Sequence, residues 1–189
     1  MTIKALFLIL FIVTAVSAQD SQERQKEPAT KVEQFQAKRG SVIILGFSPI
    51  GKLEDQYGNM TSIEVREFTD AATGTKEYGV LVEIKETGRV ERVQSSFVDT
   101  DELDSLIKGI EYIGRLDKSV TKLKDFQADY KTRGDFTVSS YSTSKGDVAA
   151  SIKCGSYARA SAYYTLPDLV KIRDLLITAQ KLIVETKGP

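Results

Sequence analysis

Histidine is missing from the 189-residue sequence, and a single cysteine, Cys154, is present. Without imidazole, neither Ser-His-Asp nor Cys-His nucleophilic mechanisms can be assembled, and zinc sites built on histidine are excluded. One thiol supports no Cys-only zinc site and no intramolecular disulfide, so stability has to come from ordinary core packing. Cys154 ends the strand-like segment 147–155, where it reads as a small semi-buried residue; pairing between chains is the other use open to it. An excess of either charge is lacking too. The 26 basic and 26 acidic residues are interspersed, as in VEIKETGRVERVQ at 82–94, so the basic stripe of a nucleic-acid binder is not found. A phosphate loop is absent: Gly46 and Gly51-Lys52 are followed by Leu53 rather than Ser or Thr. The Ser/Lys-bearing TSKGD at 143–147 reads as a turn, with no SxxK nucleophile motif nearby.

What is present begins with MTIKALFLILFIVTAVSA, residues 1–18: one cation at Lys4, an apolar run from Ala5 to Val16, and small residues Val16 and Ala18 before Gln19. This is the pattern of a cleavable secretory signal, too short to span a bilayer, and it places the protein in the periplasm or outside the cell, with no stable membrane span after cleavage. Cleavage would leave 171 residues carrying 25 basic and 26 acidic side chains, enough for one domain or two small, closely packed ones. Residues 19–40 are polar and charged, with only Val32 and Phe35 as larger apolar residues, and read as a mobile leader.

From residue 41 the pattern becomes strand-like, in segments 41–53, 60–71, 76–86 and 89–98, with alternation clearest around Ile63 and Val65 and along Val80, Val82 and Ile84. Leu103, Leu106, Ile107, Ile110 and Ile113 then recur at helical spacing, with Asp99 or Thr100 as N-cap and Gly114 as the stop. Strand signals resume at 125–132, 135–143, 147–155 and 158–165. A second amphipathic helix runs from Thr165 to Glu185, with Thr165 as cap, Pro167 in its first turn and Asp168 three residues after the cap.

The helices align at a constant offset of 66: Leu103, Leu106 and Ile110 fall on Leu169, Ile172 and Leu176, and Phe97 falls on Tyr163. Upstream, segment 80–85 can be laid on 148–153 at an offset of 68, which requires a two-residue loop difference. The reading is therefore α+β: two related antiparallel ββββα halves, 41–116 and 117–187, packed as one unit with helices on one sheet face. IEVREFTDAATGTKEYGVLVEIKETGRVER and DFQADYKTRGDF resemble segments of uncharacterised secreted bacterial proteins of similar length, a resemblance that supplies no activity. The repeated ββββα order is similar in topology to the Whirly group of single-stranded-nucleic-acid binders, which associate as pairs. That likeness implies a basic, aromatic sheet face, whereas here Arg66, Lys85 and Lys153 are diluted by Glu64, Glu67 and Glu83, and nucleic acid is not the expected partner.

The densest acidic group, Asp99, Asp101, Glu102 and Asp104, stands at a helix start, where the dipole favours it, and lacks the glycine and distant glutamate of a calcium loop. Arg133-Gly134-Asp135 reads as a hairpin turn rather than an integrin-type tripeptide. Asn59-Met60-Thr61 fits the glycosylation pattern and reports only on the host. No catalytic, metal-binding or cofactor-binding residue is assigned and no cofactor is expected. Tyrosines at the strand ends, Tyr130, Tyr141, Tyr157, Tyr163 and Tyr164, form the candidate interaction surface. The sequence thus points to a non-catalytic, exported protein- or ligand-binding module whose partner is an envelope or extracellular protein, a small ligand or a second copy. A carboxylate-dependent enzyme acting on a small polar substrate and a self-associating structural envelope protein are the alternatives.

Overall fold

The computed structural model describes residues 27–188; the signal segment 1–18 and the start of the polar leader lie outside the described residues. Two antiparallel four-stranded meanders make up the fold. The first contains β1 (Ile43–Glu54), β2 (Met60–Asp70), β3 (Lys76–Glu86) and β4 (Arg92–Asp99), and leads into α2 (Leu103–Ile113). The second contains β5 (Gln127–Lys131), β6 (Thr137–Ser142), β7 (Val148–Cys154) and β8 (Ala160–Tyr164), and leads into α3 (Leu166–Lys187). A short helix, α1 (Lys31–Gln36), precedes them.

Period-2 alternation puts Ile63, Val65, Val80, Val82 and Ile84 on the inner face of the first sheet and Val138, Ala150, Ile152, Ala162 and Tyr164 on that of the second. These faces share one core with the stripes of α2 (Leu103, Leu106, Ile110, Ile113) and α3 (Leu169, Ile172, Leu176, Ala179, Ile183). The helices are exchanged. α2 packs on β5 and β6 of the second sheet, α3 packs on β1, β2 and β3 of the first, and the two helices touch each other. At the far end of α3, Lys187 Nζ sits 5.2 Å from the centroid of the Tyr78 ring on β3. α3 also touches β7 of its own half, but its main seat is the first sheet, so each sheet takes most of its helical cover from the other half.

Strand register corrects the internal alignment. Val82 pairs with Ile63 and Ser96, while Ile152 pairs with Val138 and Ala162. With Ser96 matching Ala162 at the helix offset of 66, Val82 corresponds to Ile152 rather than to Ala150. The cause is hairpin length: Ile84 pairs with Gln94, but its counterpart Cys154 pairs with Ala160, so the first hairpin is longer by four residues, not two.

Part of the leader is also corrected. Residues 30–36 form a docked helix rather than a mobile chain. Thr30 and Glu33 make a reciprocal capping box, the Glu33 amide donating to Thr30 Oγ1 at 3.0 Å and the Thr30 amide to the Glu33 carboxylate at 2.9 Å. Val32 and Phe35 bury against Phe68, Ile43 and Phe97 on the outer face of the first sheet. Gly79 leaves the space for Val32, whose Cγ2 would stand 2.6 Å from a Cβ at that position.

The N-cap expected of Asp99 or Thr100 is replaced by Glu102, whose side chain makes no capping bond. Asp99, fully buried, is committed elsewhere: its carboxylate accepts the Lys31 amide at 2.8 Å and the Val32 amide at 3.2 Å, capping α1 instead. α3 starts as read, with Thr165 donating through its hydroxyl and its amide to the Asp168 carboxylate. Among the described residues no helix is long and apolar enough to cross a membrane.

Candidate functional site

The outer face of the second sheet carries no helix. Register places Gln127, Tyr141 and Ala149 in one row across it, Asp129, Ser139, Ser151 and Tyr163 in the next, and Lys131, Thr137, Lys153 and Ser161 in a third. The middle row is small at its centre, Ser139 and Ser151, and is framed by longer side chains, Asp129 and Tyr163 at its ends and Tyr141 and Lys153 in the flanking rows. Two concavities result, of about 200 and 250 Å³, and both are lined by Gln127, Ser139 and Lys153. Asp135, Gly155 and Arg159 extend the first, while Tyr141, Ser151 and Tyr163 close the second.

Ser139 lies on the floor of both. It is 1 % exposed, and its Oγ has no hydrogen-bond partner, although a buried hydroxyl ordinarily finds one. Around it the charges are unevenly paired. The Gln127 amide nitrogen donates to both Asp129 oxygens, at 3.0 and 2.9 Å, and Lys131 pairs with Asp135 at 2.7 Å. Lys153 and Arg159 make no ion pair with a carboxylate among the described residues. At the other margin Tyr57, from the β1–β2 turn, meets Tyr163 edge-on, with ring centroids 5.7 Å apart and planes at 88°. Burial, followed by the neighbouring Tyr163 and Tyr57, pushes the Tyr141 phenol above its ordinary value and keeps it a neutral donor.

The first half holds this face in place by guarding its edge. Asp55 accepts the outward-pointing Tyr163 amide at 2.8 Å, and Glu86 accepts that of Ser161 at 2.7 Å, so β8 cannot recruit a further strand at these positions. Asp55 also accepts the amides of Tyr57 and Asn59 and the Asn59 side-chain nitrogen. The glycosylation-type asparagine is thus buried, with its nitrogen committed to Asp55 and its oxygen to the Thr87 amide.

Of the five tyrosines read as an interaction surface, Tyr141 and Tyr163 come together here. Tyr130 points inward, packing on Gly109 of α2 and donating to Ser105 Oγ at 2.8 Å. Tyr164 belongs to the core, its hydroxyl donating to the Leu53 carbonyl and accepting from the Thr61 hydroxyl, and burial pushes its phenol up to about 12. Neighbours in sequence necessarily face opposite ways on a strand, which separates Tyr163 from Tyr164. Tyr157 is 86 % exposed in the β7–β8 turn and lines neither concavity. Sequence reasoning missed Tyr57, Gln127, Ser139 and Arg159. The alternating polar residues of 127–131 and 137–141 were the available signal for Gln127 and Ser139; nothing local marks Tyr57 or Arg159, which arrive from turns.

Other motifs are used internally. Arg133 pairs with Asp99, Asp101 and Glu102, and its amide donates to Glu102 at 2.9 Å. The hydrogen bond from Lys31, followed by that from Arg133, holds the Asp101 carboxyl below its usual range. Gly134 is required because a Cβ there would overlap the Phe97 carbonyl oxygen, and Asp135 closes the turn at φ 64°. The acidic cluster and the Arg-Gly-Asp turn therefore form one clamp joining α1, α2 and the β5–β6 hairpin. Cys154 is fully buried, donates to the Val82 carbonyl at 3.4 Å and has its thiol pushed up to about 12 by burial, which removes it as a cross-link in the folded chain. Among the described residues no group of three His, Cys, Asp or Glu side chains is placed to hold a metal ion. No family model, curated protein or solved structure matches the chain.

Proposed function

We propose that this protein is an exported, non-catalytic binding module, periplasmic or extracellular, whose ligand surface is the open face of the second sheet. The observation that carries the reading is Ser139: a buried hydroxyl without a partner at the floor of a polar concavity is a group that a ligand would satisfy. Lys153 and Arg159, unpaired among the described residues, on one side and Tyr141 with Tyr163 on the other support it. The two carboxylates in the concavity are engaged, Asp129 by Gln127 and Asp135 by Lys131, and the site is open; both features suit recognition better than acid–base chemistry. Export rests on residues 1–18 of the sequence.

The test is capture from the envelope and medium of the producing cells by tagged wild-type protein and by a Tyr141→Ala/Lys153→Ala/Tyr163→Ala variant of equal stability. A molecule held by the first and lost from the second is the expected result; identical captures would refute the reading.

Self-association as a structural protein is the second reading, favoured by β1. This edge strand and the two residues before it are uncharged from Ser41 to Gly51 and expose Val42, Ile44 and Phe47 by 70, 56 and 67 %. Sedimentation velocity over a concentration series, with Phe47→Lys as the edge variant, decides it: a dimer abolished by that substitution supports self-association, and a monomer at every concentration ends it.

A further inference from the structure

Resting on the reading of the open sheet face as a ligand surface, we infer that its ligand class is an acidic saccharide, a pyranose bearing a carboxylate. The two concavities are subsites of one site, since Gln127, Ser139 and Lys153 line both. One subsite is cationic. Among the described residues Lys153 and Arg159 stand there without carboxylate partners, whereas Lys131 is already neutralised by Asp135 at 2.7 Å. Two unpaired cations beside a hydroxyl-lined floor suit one carboxylate, which accepts charge-assisted hydrogen bonds from both.

The other subsite is aromatic and polar at once. Tyr163, 38 % exposed, is steadied by the edge of Tyr57, and Tyr141 lies in the neighbouring row across the sheet. A sugar ring presents an apolar C–H face that packs on such rings and a rim of hydroxyls that both donate and accept. The rim here offers both roles: the Gln127 side-chain oxygen accepts, Tyr141 donates as a neutral phenol, and Ser139 and Ser151 do either. The unpartnered Ser139 Oγ at the junction of the subsites would receive a sugar hydroxyl.

Single-stranded nucleic acid also combines aromatic stacking with cationic contacts. It fits less well, because the two cations left over from Lys131–Asp135 match a single carboxylate rather than a run of phosphates, and the whole sequence balances 26 basic with 26 acidic residues.

Isothermal titration of the protein lacking residues 1–18 tests the inference. The probes are tetramers of galacturonate, glucuronate and mannuronate, their carboxyl-reduced neutral counterparts, and a thymidine oligonucleotide. At least one uronate tetramer is expected to bind about tenfold or more tightly than its neutral counterpart. Lys153→Met/Arg159→Met should erase that preference while retaining weak neutral binding, and Tyr163→Ala should weaken both. Equal affinity for acidic and neutral forms, no binding of any tetramer, or tighter binding of the oligonucleotide would overturn the assignment. If saccharides fail while face-dependent capture from cells persists, the ligand class alone is wrong; if that capture is also insensitive to the face, the site itself is wrong.

Discussion

The Tyr130 ring on β5 packs so closely on Gly109 of α2 that a Cβ at residue 109 would collide with it; at the matching place in the other half, Leu175 of α3 lies over Gly51 of β1. Gly109 and Leu175 are 66 residues apart, the helix offset, and Gly51 and Tyr130 both pair with matching β2 and β6 residues, Ile63 and Val138. One contact therefore puts the large residue on the strand, and its twin puts it on the helix. With α2 on its own sheet, Gly109 would meet Gly51 and leave a void; with α3 on its own sheet, Leu175 would meet Tyr130 and overpack. Complementary bulk thus favours the exchanged arrangement over the unexchanged one.

Gly109→Ala is accordingly expected to destabilise the protein by about 1–3 kcal/mol, although alanine is ordinarily the better helix former by about 1 kcal/mol. Gly51→Ala should cost less, because the atom met there is the end of a flexible leucine, Leu175 Cδ2 at 2.6 Å, rather than an aromatic ring. Urea titrations of both variants check the order; a stabilised Gly109→Ala protein would contradict the packing described.

Helix exchange makes each half dependent on the other. A fragment of residues 27–116 keeps the first sheet but loses α3, the cover of its inner face, and is expected to show no cooperative thermal transition by circular dichroism. Adding the 117–188 fragment should restore one. A cooperatively folded 27–116 fragment would mean that α2 can cover its own sheet.

Asp99 is the pin of the clamp. Its removal as Asp99→Ala strips two amide bonds from α1 and leaves Arg133 a partner short, an expected loss of about 2–4 kcal/mol. Hydrogen exchange should quicken in residues 31–36 while α3 stays protected. Thr30→Ala, which removes only half of the capping box, should cost about 1 kcal/mol.

Much of this architecture is legible in the sequence, and the exceptions share a cause. Strand and helix periodicity along Val80–Val82–Ile84 and Leu103–Leu106–Ile110 reports which face is buried but not which partner buries it, so the helix exchange was invisible. The same limit hid α1: two apolar residues in a polar stretch look like a leader until Gly79 and Phe68 supply a socket. Asp99 was readable as a capping acid, yet the helix it caps lies 68 residues earlier. At the candidate site, composition at the strand ends picked out Tyr141 and Tyr163 but not the row that joins Tyr141 to Gln127, while Tyr57 and Arg159 come from turns whose placement depends on long-range contacts such as Asp55 with Tyr163.

Alkaline pH should weaken the fold. Burial raises Cys154 from 9.0 to about 12 and Tyr164 from 10.0 to about 12. Below pH 9.0 both groups are protonated in the folded and unfolded chain, and their contribution is intact. As pH rises from there towards about 12, the unfolded chain releases these protons first and stability is lost. Urea midpoints are expected to hold between about pH 7 and 9 and to fall above, less steeply in Cys154→Ala/Tyr164→Phe. In the native state at about pH 8 the thiol should resist a disulfide reagent until denaturant is added.

The central claim is that the open face of the second sheet is where this protein meets its ligand. The most direct measurement places a photo-cross-linking residue at Tyr141 on that face and, separately, at Glu83 on the outer face of the first sheet, in the protein as its own cells produce it. Adducts from position 141 that are missing from position 83 are predicted; equal adducts from both positions, or none from 141, would contradict the account.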